Sequence, residues 1–157
     1  MNQSMNMLHE KWMRQALKEA NKALQDEEVP VGAVIVYENK VIGRGFNQVE
    51  LLQDPTAHAE MIALTAATNA IGKKWLNEAT MYVTIEPCTM CAGAMILARL
   101  KRLVYGAPEI KTGAHSSIYN LLDDPRINHR IEVIPGILDS ECGHLMSLFF
   151  EEMRKRN

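Results

Sequence analysis

Apolar positions recur at helical spacing near the start of the chain, at Leu8, Trp12, Ala16, Ala20, Ala23 and Leu24, and predict an amphipathic helix from about residue 8 to 24. Pro30 then opens a β-branched run, Val31 to Tyr37, that is too apolar for an exposed strand. Glu38-Asn39-Lys40 reads as a short polar turn, and Val41 to Gly45 returns as a second strand, so the pair predicts an antiparallel hairpin. A loop through Asp54-Pro55-Thr56 leads into a second helix, from about Ala57 to Asn69, that begins just beyond a proline.

The pattern then alternates. Thr80 to Ile85 is the third strand, ended by Pro87, and the Ala-, Met-, Ile- and Leu-rich stretch from Cys88 to Leu100 is a buried helix. Lys101 to Tyr105 is a fourth strand, Ser116 to Leu122 a short helix, and Ile131 to Ile134 a fifth strand. Asp139 is placed to cap a closing helix that reaches about Lys155. Strand–helix–strand alternation implies a largely parallel sheet with helices on both faces, to which the opening hairpin adds an antiparallel part. No internal repeat, low-complexity tract or linker interrupts the pattern, so the expectation is one domain spanning residues 1–157.

Composition narrows the class. Hydrophobic residues are 47% and charged residues 23% of 157, which excludes a disordered or fibrous chain. Seventeen Lys and Arg against 19 Asp and Glu give a net charge of −2, which excludes a generally basic nucleic-acid coat protein but not a local basic patch. The longest apolar runs fall short of a membrane span, and Met1 to Asn6 lack a signal pattern, so a soluble, cytoplasmic protein without membrane contact is expected. The cysteines, Cys88, Cys91 and Cys142, make an odd count that argues against a disulfide framework. Cys142 lies in an apolar helical pattern and reads as a buried, inert thiol. The ten methionines read mostly as core fillers.

Two segments carry chemistry: His58-Ala59-Glu60 at one helix start and Pro87-Cys88-Thr89-Met90-Cys91 at another. Cys-x-x-Cys at a helix N-terminus brings two sulfurs together, and the helix dipole favours their thiolate forms. Thiolates plus imidazole are a ligand set suited to tetrahedral zinc. With no second Cys-x-x-Cys and no His pair to close the shell, the fourth position falls to water, as in catalytic zinc sites, where the pKa of that water drops to about 7. Attack on an amino-bearing aromatic carbon then needs a carboxylate close to the metal but not bound to it, and Glu60 is the candidate. Residues two apart do not share a helix face, so His58 is expected at the very start of its helix with Glu60 reaching back. A thiol–disulfide pair is the competing explanation of Cys-x-x-Cys, but it leaves His58 and Glu60 without a task.

The order His-x-Glu followed by Pro-Cys-x-x-Cys is the signature by which zinc-dependent nucleobase deaminases are known. With Glu28-Val29-Pro30-Val31-Gly32-Ala33-Val34, Gly45-Phe46-Asn47, Asp54 to Glu60, Tyr82 to Cys88, Cys91 to Ile96, Lys111-Thr112-Gly113-Ala114, Asn128-His129-Arg130 and Phe149-Phe150, the chain resembles the cytidine deaminase-like superfamily. Within it, the chain is most similar to the bacterial tRNA-specific adenosine deaminases. The resemblance covers nearly the whole chain and implies a three-layer α/β/α cytidine deaminase-like fold with a five-stranded mixed sheet. It also implies one Zn²⁺ per chain held by His58, Cys88 and Cys91, with Glu60 as proton shuttle. Asn47 would hydrogen-bond the flipped-out nucleotide, the backbone at Ala57 and Glu86 would frame the pocket, and Glu109, Lys111 and Asn128 would contact the anticodon loop. Glu109 stands where many relatives carry Asp, and Pro108 precedes it.

The implied reaction is hydrolytic deamination of adenosine to inosine at the tRNA wobble position, with a zinc-bound hydroxide as nucleophile and an anticodon stem-loop as partner. Family members are homodimers, and the apolar Ala92 to Leu100 segment suits such an interface as well as simple burial. The closing helix ends in Phe149, Phe150, Arg154, Lys155 and Arg156, an aromatic-then-basic order that suits single-stranded RNA, although core packing of the rings explains it too. Lys73-Lys74 and Arg99, Lys101 and Arg102 form further basic clusters that would position phosphates if they converge near the metal. His129 suits either RNA contact or a local hydrogen bond, and His9, His115 and His144 receive no role. Two rival readings are a deaminase of a free base or nucleoside, of guanine or cytosine type, and a non-catalytic zinc-stabilised binding module.

Overall fold

The computed structural model describes residues 1–157. Helix α1 (Gln3–Gln25) is followed by strands β1 (Gly32–Tyr37) and β2 (Lys40–Phe46), a one-turn helix α2 (Val49–Leu52) and helix α3 (Ala59–Ile71). Strand β3 (Thr80–Ile85), helix α4 (Thr89–Leu97), strand β4 (Arg102–Ala107), a 3-10 turn at Leu121–Asp123, strand β5 (Glu132–Ile134) and helix α5 (Asp139–Arg156) complete the chain. Strand order is β2-β1-β3-β4-β5. β1 runs antiparallel to both neighbours, while β3, β4 and β5 are parallel. The hairpin turn is Glu38-Asn39, both left-handed at φ 49° and 61°, the two-residue geometry whose twist matches paired strands.

Both sheet faces are covered, which explains why the strand sequences are nearly continuous in apolar residues. Ala33 and Ile35, Met81 and Val83, and Leu103 and Tyr105 face one core with Ala63, Ala67, Cys91 and Met95 of α3 and α4. Val34, Val36, Tyr82 and Val104 point the other way, onto Trp12, Met13 and Ala16 of α1 and Cys142 of α5. Helix–sheet–helix layering with a mixed five-stranded sheet is thus the arrangement the sequence pattern predicts.

One contact sets where α3 begins. A Cβ on Gly45 would lie 2.3 Å from the Ala59 carbonyl oxygen, so only glycine lets the first turn of α3 press against β2. Because β2, β3 and β4 all end at this edge of the sheet, the N-termini of α3 and α4 meet there.

Several boundaries differ from expectation. α1 starts at Gln3 because the Asn2 side chain accepts the Met5 N–H at 2.9 Å. α2 was not anticipated: four residues are too few to show a period. The helix expected over Ser116 to Leu122 is replaced by turns and the 3-10 turn, since the N–H groups of Ser116 and Ser117 are donated to the Glu86 carboxylate rather than to a helical ladder. Asp139 is not the cap of α5. It is the first helical residue, after Leu138 in the left-handed region at φ 56°, and its side chain accepts the adjacent Ser140 N–H. Cys142 is buried, and burial pushes its thiol up to about 12, so it stays protonated.

His9 of α1 is 2% exposed, with Nδ1 hydrogen-bonded to the Tyr82 hydroxyl at 2.8 Å and no partner for Nε2. Burial first, and then the Arg102 charge against the weaker pull of Glu132, hold its pKa below the ordinary 6.5. The unfolded chain therefore binds a proton that the folded chain refuses, so the contribution of His9 is complete above the unfolded pKa and is lost as pH falls toward the lower folded value. The urea midpoint of the wild type, taken relative to that of His9→Leu at the same pH, is expected to fall between about pH 7 and about pH 5.

Candidate metal centre

α3 and α4 deliver their first residues to one point at the end of the sheet. His58 is the N-cap of α3, and Glu60 is the second helical residue. Cys88 is the N-cap of α4, and Cys91 lies in its first turn. The Nδ1 atom of His58 is 3.6 Å from Cys88 Sγ and 3.5 Å from Cys91 Sγ. Tetrahedral zinc, with bonds of about 2.3 Å to sulfur and about 2.0–2.1 Å to nitrogen, separates its N and S ligands by about 3.5 Å. The donor set and spacing therefore fit that metal. Three side chains form the group, and no fourth His, Cys, Asp or Glu joins it.

The electrostatics of the cluster follow from burial and contact. Hydrogen bonding from Cys91 comes first, with help from His58, in bringing the Cys88 thiol down to about 4 against the cost of burial. The same contact pushes the Cys91 thiol up, because it keeps the shared proton. Hydrogen bonding to Cys88 raises His58 despite its burial, with the Glu60 charge adding to the effect. Glu60 is 3% exposed, and burial raises its carboxyl to about 7, only partly offset by its hydrogen bonds and by His58. Its side chain reaches Cys91. Position at the helix start with a carboxyl reaching back is the arrangement the spacing predicts.

This cluster forms part of the wall of a cavity of about 720 Å³, a size suited to a small planar ligand. Asn47, Glu60, Glu86, Glu109 and Phe149 line it with His58 and Cys88. Lys111 and Arg154 line an adjoining groove that shares Glu109, Met146 and Met153 with the cavity. Ala57 is buried beside His58 without lining the cavity, and its carbonyl accepts the Gln48 N–H at 2.9 Å. Asn128 is exposed and belongs to neither depression. Its neighbour His129 makes a hydrogen bond from Nε2 to the carbonyl of Leu100, 29 residues earlier, at 2.7 Å, rather than the local one expected.

The two internal basic clusters do not converge on the metal ligands. Lys74 and Arg99 stack on Trp75, each 4.9 Å from the ring, beyond the C-terminal ends of α3 and α4. At 1.5 Å per residue, the 13 residues of α3 place that end about 20 Å from His58. Lys101 and Arg102 pair with Glu78 and Glu132.

Sequence reasoning overlooked several wall residues. Met146 and Met153 join Phe149 and Phe150 at i, i+3, i+4 and i+7 on α5, a stripe that could have been read from the spacing. Glu28 is 1% exposed and accepts the N–H groups of Glu50 at 3.0 Å and Leu51 at 2.6 Å, which fixes α2 at the cavity edge. Burial works against ionisation of Glu86, but hydrogen bonds from Ser117, Ser116, His115 and Glu109 outweigh it and hold its carboxyl below the ordinary range.

Residues 7–154 match the family described as MafB19-like deaminase. The tRNA-specific adenosine deaminase of Bacillus subtilis is 46% identical over 147 residues, covering 94% of this chain and 91% of that protein. That of Haemophilus influenzae is 48% identical over 147 residues, covering 93% and 85%. A structure solved in work on A-to-I editing by tRNA:A34 deaminases superposes with a TM-score of 0.83 at 42% identity, covering 86% of this chain and 98% of that one. Guanine deaminase from Nitrosomonas europaea shares the fold, with a TM-score of 0.76 at 23% identity over 89% of this chain and 83% of that one.

Removing the Glu28 carboxylate leaves the Glu50 and Leu51 donors without their acceptor. Glu28→Ala is expected to lose about 1–3 kcal/mol, read as a lower urea midpoint at unchanged m-value, with part of the loss recovered in Glu28→Gln.

Proposed function

The chain belongs to the MafB19-like deaminase family and, within it, to the tRNA-specific adenosine deaminases; on that premise we propose that it converts adenosine to inosine at the wobble position of a tRNA anticodon. The observation that carries this reading is the His58–Cys88–Cys91 cluster at zinc-ligand spacing, with His58 and Cys88 in the wall of a nucleoside-sized cavity and Glu60 buried beside them. One domain comprising residues 1–157 performs the reaction in the cytoplasm, where its substrate is made. No helix is long and apolar enough to cross a membrane.

His58, Cys88 and Cys91 would hold one zinc ion, which when bound supplies Lewis-acid activation of water, lowering its pKa to about 7. Glu60 accepts a proton from the attacking water and delivers it to N1 of the adenine ring as oxygen bonds to C6. A second proton, also relayed by Glu60, goes to the amino nitrogen as the C6–N bond breaks, so that water and adenosine become inosine and ammonia. Burial suits Glu60 to both directions of transfer, because a carboxyl raised toward neutrality accepts and returns a proton at little cost.

Asn47, 8% exposed in the cavity wall, fixes the flipped-out nucleotide by hydrogen bonding. The backbone at Glu86 frames the pocket directly and that at Ala57 from behind His58, and Phe149 offers its ring to the target or a neighbouring base. Glu109, Lys111 and Arg154 meet the anticodon loop along the adjoining groove, where the two cations neutralise phosphates. A contact from Asn128 reaches the RNA from outside the cavity. The protein acts as a homodimer whose interface includes α4, where Leu97 is 80% exposed.

An anticodon stem-loop carrying adenosine at the wobble position is expected to yield inosine, whereas free adenosine, cytidine and guanine are not turned over. Activity confined to the free compounds would reject the tRNA assignment. Glu60→Ala is expected to lower turnover by at least about 10³-fold while metal analysis still finds one zinc per chain. Light scattering should give twice the chain mass for the wild type and a shift toward the single-chain mass for Leu97→Asp; a wild type of single-chain mass would reject the dimer.

A further inference from the structure

Between Ala107 and Glu132 the chain has no helix or strand beyond one 3-10 turn, yet this stretch carries Glu109 and Thr112 into the cavity wall and Lys111 into the adjoining groove. A segment so poor in regular structure needs another source of order. Glu86 supplies it. Its side chain is 1% exposed, and every donor it accepts comes from this one segment. Oε1 accepts the Glu109 N–H at 3.1 Å and the Ser117 hydroxyl in a very short contact. Oε2 accepts the N–H groups of His115, Ser116 and Ser117 at 2.9, 3.1 and 3.2 Å. The wrapping is tight enough that a Cβ on Gly113 would lie 2.4 Å from the Glu86 carboxyl carbon.

The anchor point matters as much as the number of bonds. Glu86 is separated from the metal-ligating Cys88 only by Pro87, whose carbonyl accepts the Ala114 N–H at 2.9 Å. The segment is therefore tied to the same few residues of backbone that place the cysteine.

Resting on the tRNA deaminase reading, we propose that the Glu86 carboxylate, with Ser117, is the positioning residue of the RNA-contacting rim formed by residues 109–117. It holds Glu109 and Lys111 against the anticodon loop and so sets affinity for the RNA, while the bond-breaking step is left to Glu60. A carboxylate is required because five donors converge on two oxygens. An amide offers one oxygen, and its NH₂ group would confront backbone N–H groups donor to donor.

The test compares zinc-loaded wild type, Glu86→Gln and Ser117→Ala on a fluorescent anticodon stem-loop, with KM and kcat measured beside binding anisotropy and amide hydrogen exchange. Glu86→Gln should raise KM and Kd by about tenfold with kcat changed by less than about threefold, and Ser117→Ala should do the same to a smaller extent. Amides of Glu109, His115, Ser116 and Ser117 should exchange faster in Glu86→Gln at unchanged zinc content, and Glu86→Asp, which keeps the charge, should recover part of the affinity. A fall in kcat at constant KM, or unchanged KM and unchanged exchange, overturns the proposal. If Glu86→Gln lacks a cooperative urea transition, Ser117→Ala decides by the same criteria, since it keeps all four backbone donors. Wild type that neither binds nor deaminates the stem-loop overturns the tRNA reading and this inference with it; variants that match a wild type active on the stem-loop overturn this inference alone.

Discussion

Two helices must begin at one place for this molecule to have a site. The first turns of α3 and α4 lie over one edge of the sheet: α3 contributes its N-cap residue, and α4 its N-cap and a first-turn residue, to the His58–Cys88–Cys91 group. The exposed N–H groups of a helix start favour negative charge nearby, which suits thiolates and a carboxylate in a small volume. The close seat of α3 on β2 at Gly45, and the short Glu86-Pro87 link from β3 into α4, keep those two starts together. A shift of one residue in either helix would turn a ligand away from the cavity.

Three buried carboxylates surround the cavity, and their partners separate their tasks. Glu28 and Glu86 are occupied by backbone donors: Glu28 pins the one-turn helix α2, and Glu86 the irregular segment that carries Glu109. Glu60 is buried as deeply, but its contacts do not offset the cost of charge, and its proton affinity rises accordingly. Burial alone therefore does not make an acid–base group. What distinguishes Glu86 from Glu60 is how many hydrogen-bond donors its surroundings commit to the ionised form.

Charge is distributed to match. The chain as a whole carries −2, and the large cavity has no lysine or arginine in its wall. Cations stand in the neighbouring groove, at Lys111 and Arg154, so the cavity and the groove offer surfaces of different character. Lys74 and Arg99, which the sequence left free to join them, instead cover Trp75 at the far ends of the helices.

Much of this was legible in the chain itself, wherever information is local. Continuous apolar strands, the Glu38-Asn39 turn and the His-x-Glu and Cys-x-x-Cys spacings depend on residues close in sequence, and each was readable there. So was the need for His58 to sit at a helix start, because two-residue spacing cannot share a helix face. Hidden features depend on distant partners. Ser116 to Leu122 has helical composition, yet Glu86, about thirty residues earlier, takes the N–H groups that a helix would use. Asp139 looks like a cap, but the left-handed turn at Leu138 draws it into the helix. Local propensity and donor chemistry settled which elements form and which side chains could hold a metal; only tertiary packing decided which buried carboxylates are filled by hydrogen-bond donors, which one has its proton affinity raised, and which cations stand in the groove beside the cavity, because those outcomes turn on who else competes for each hydrogen bond.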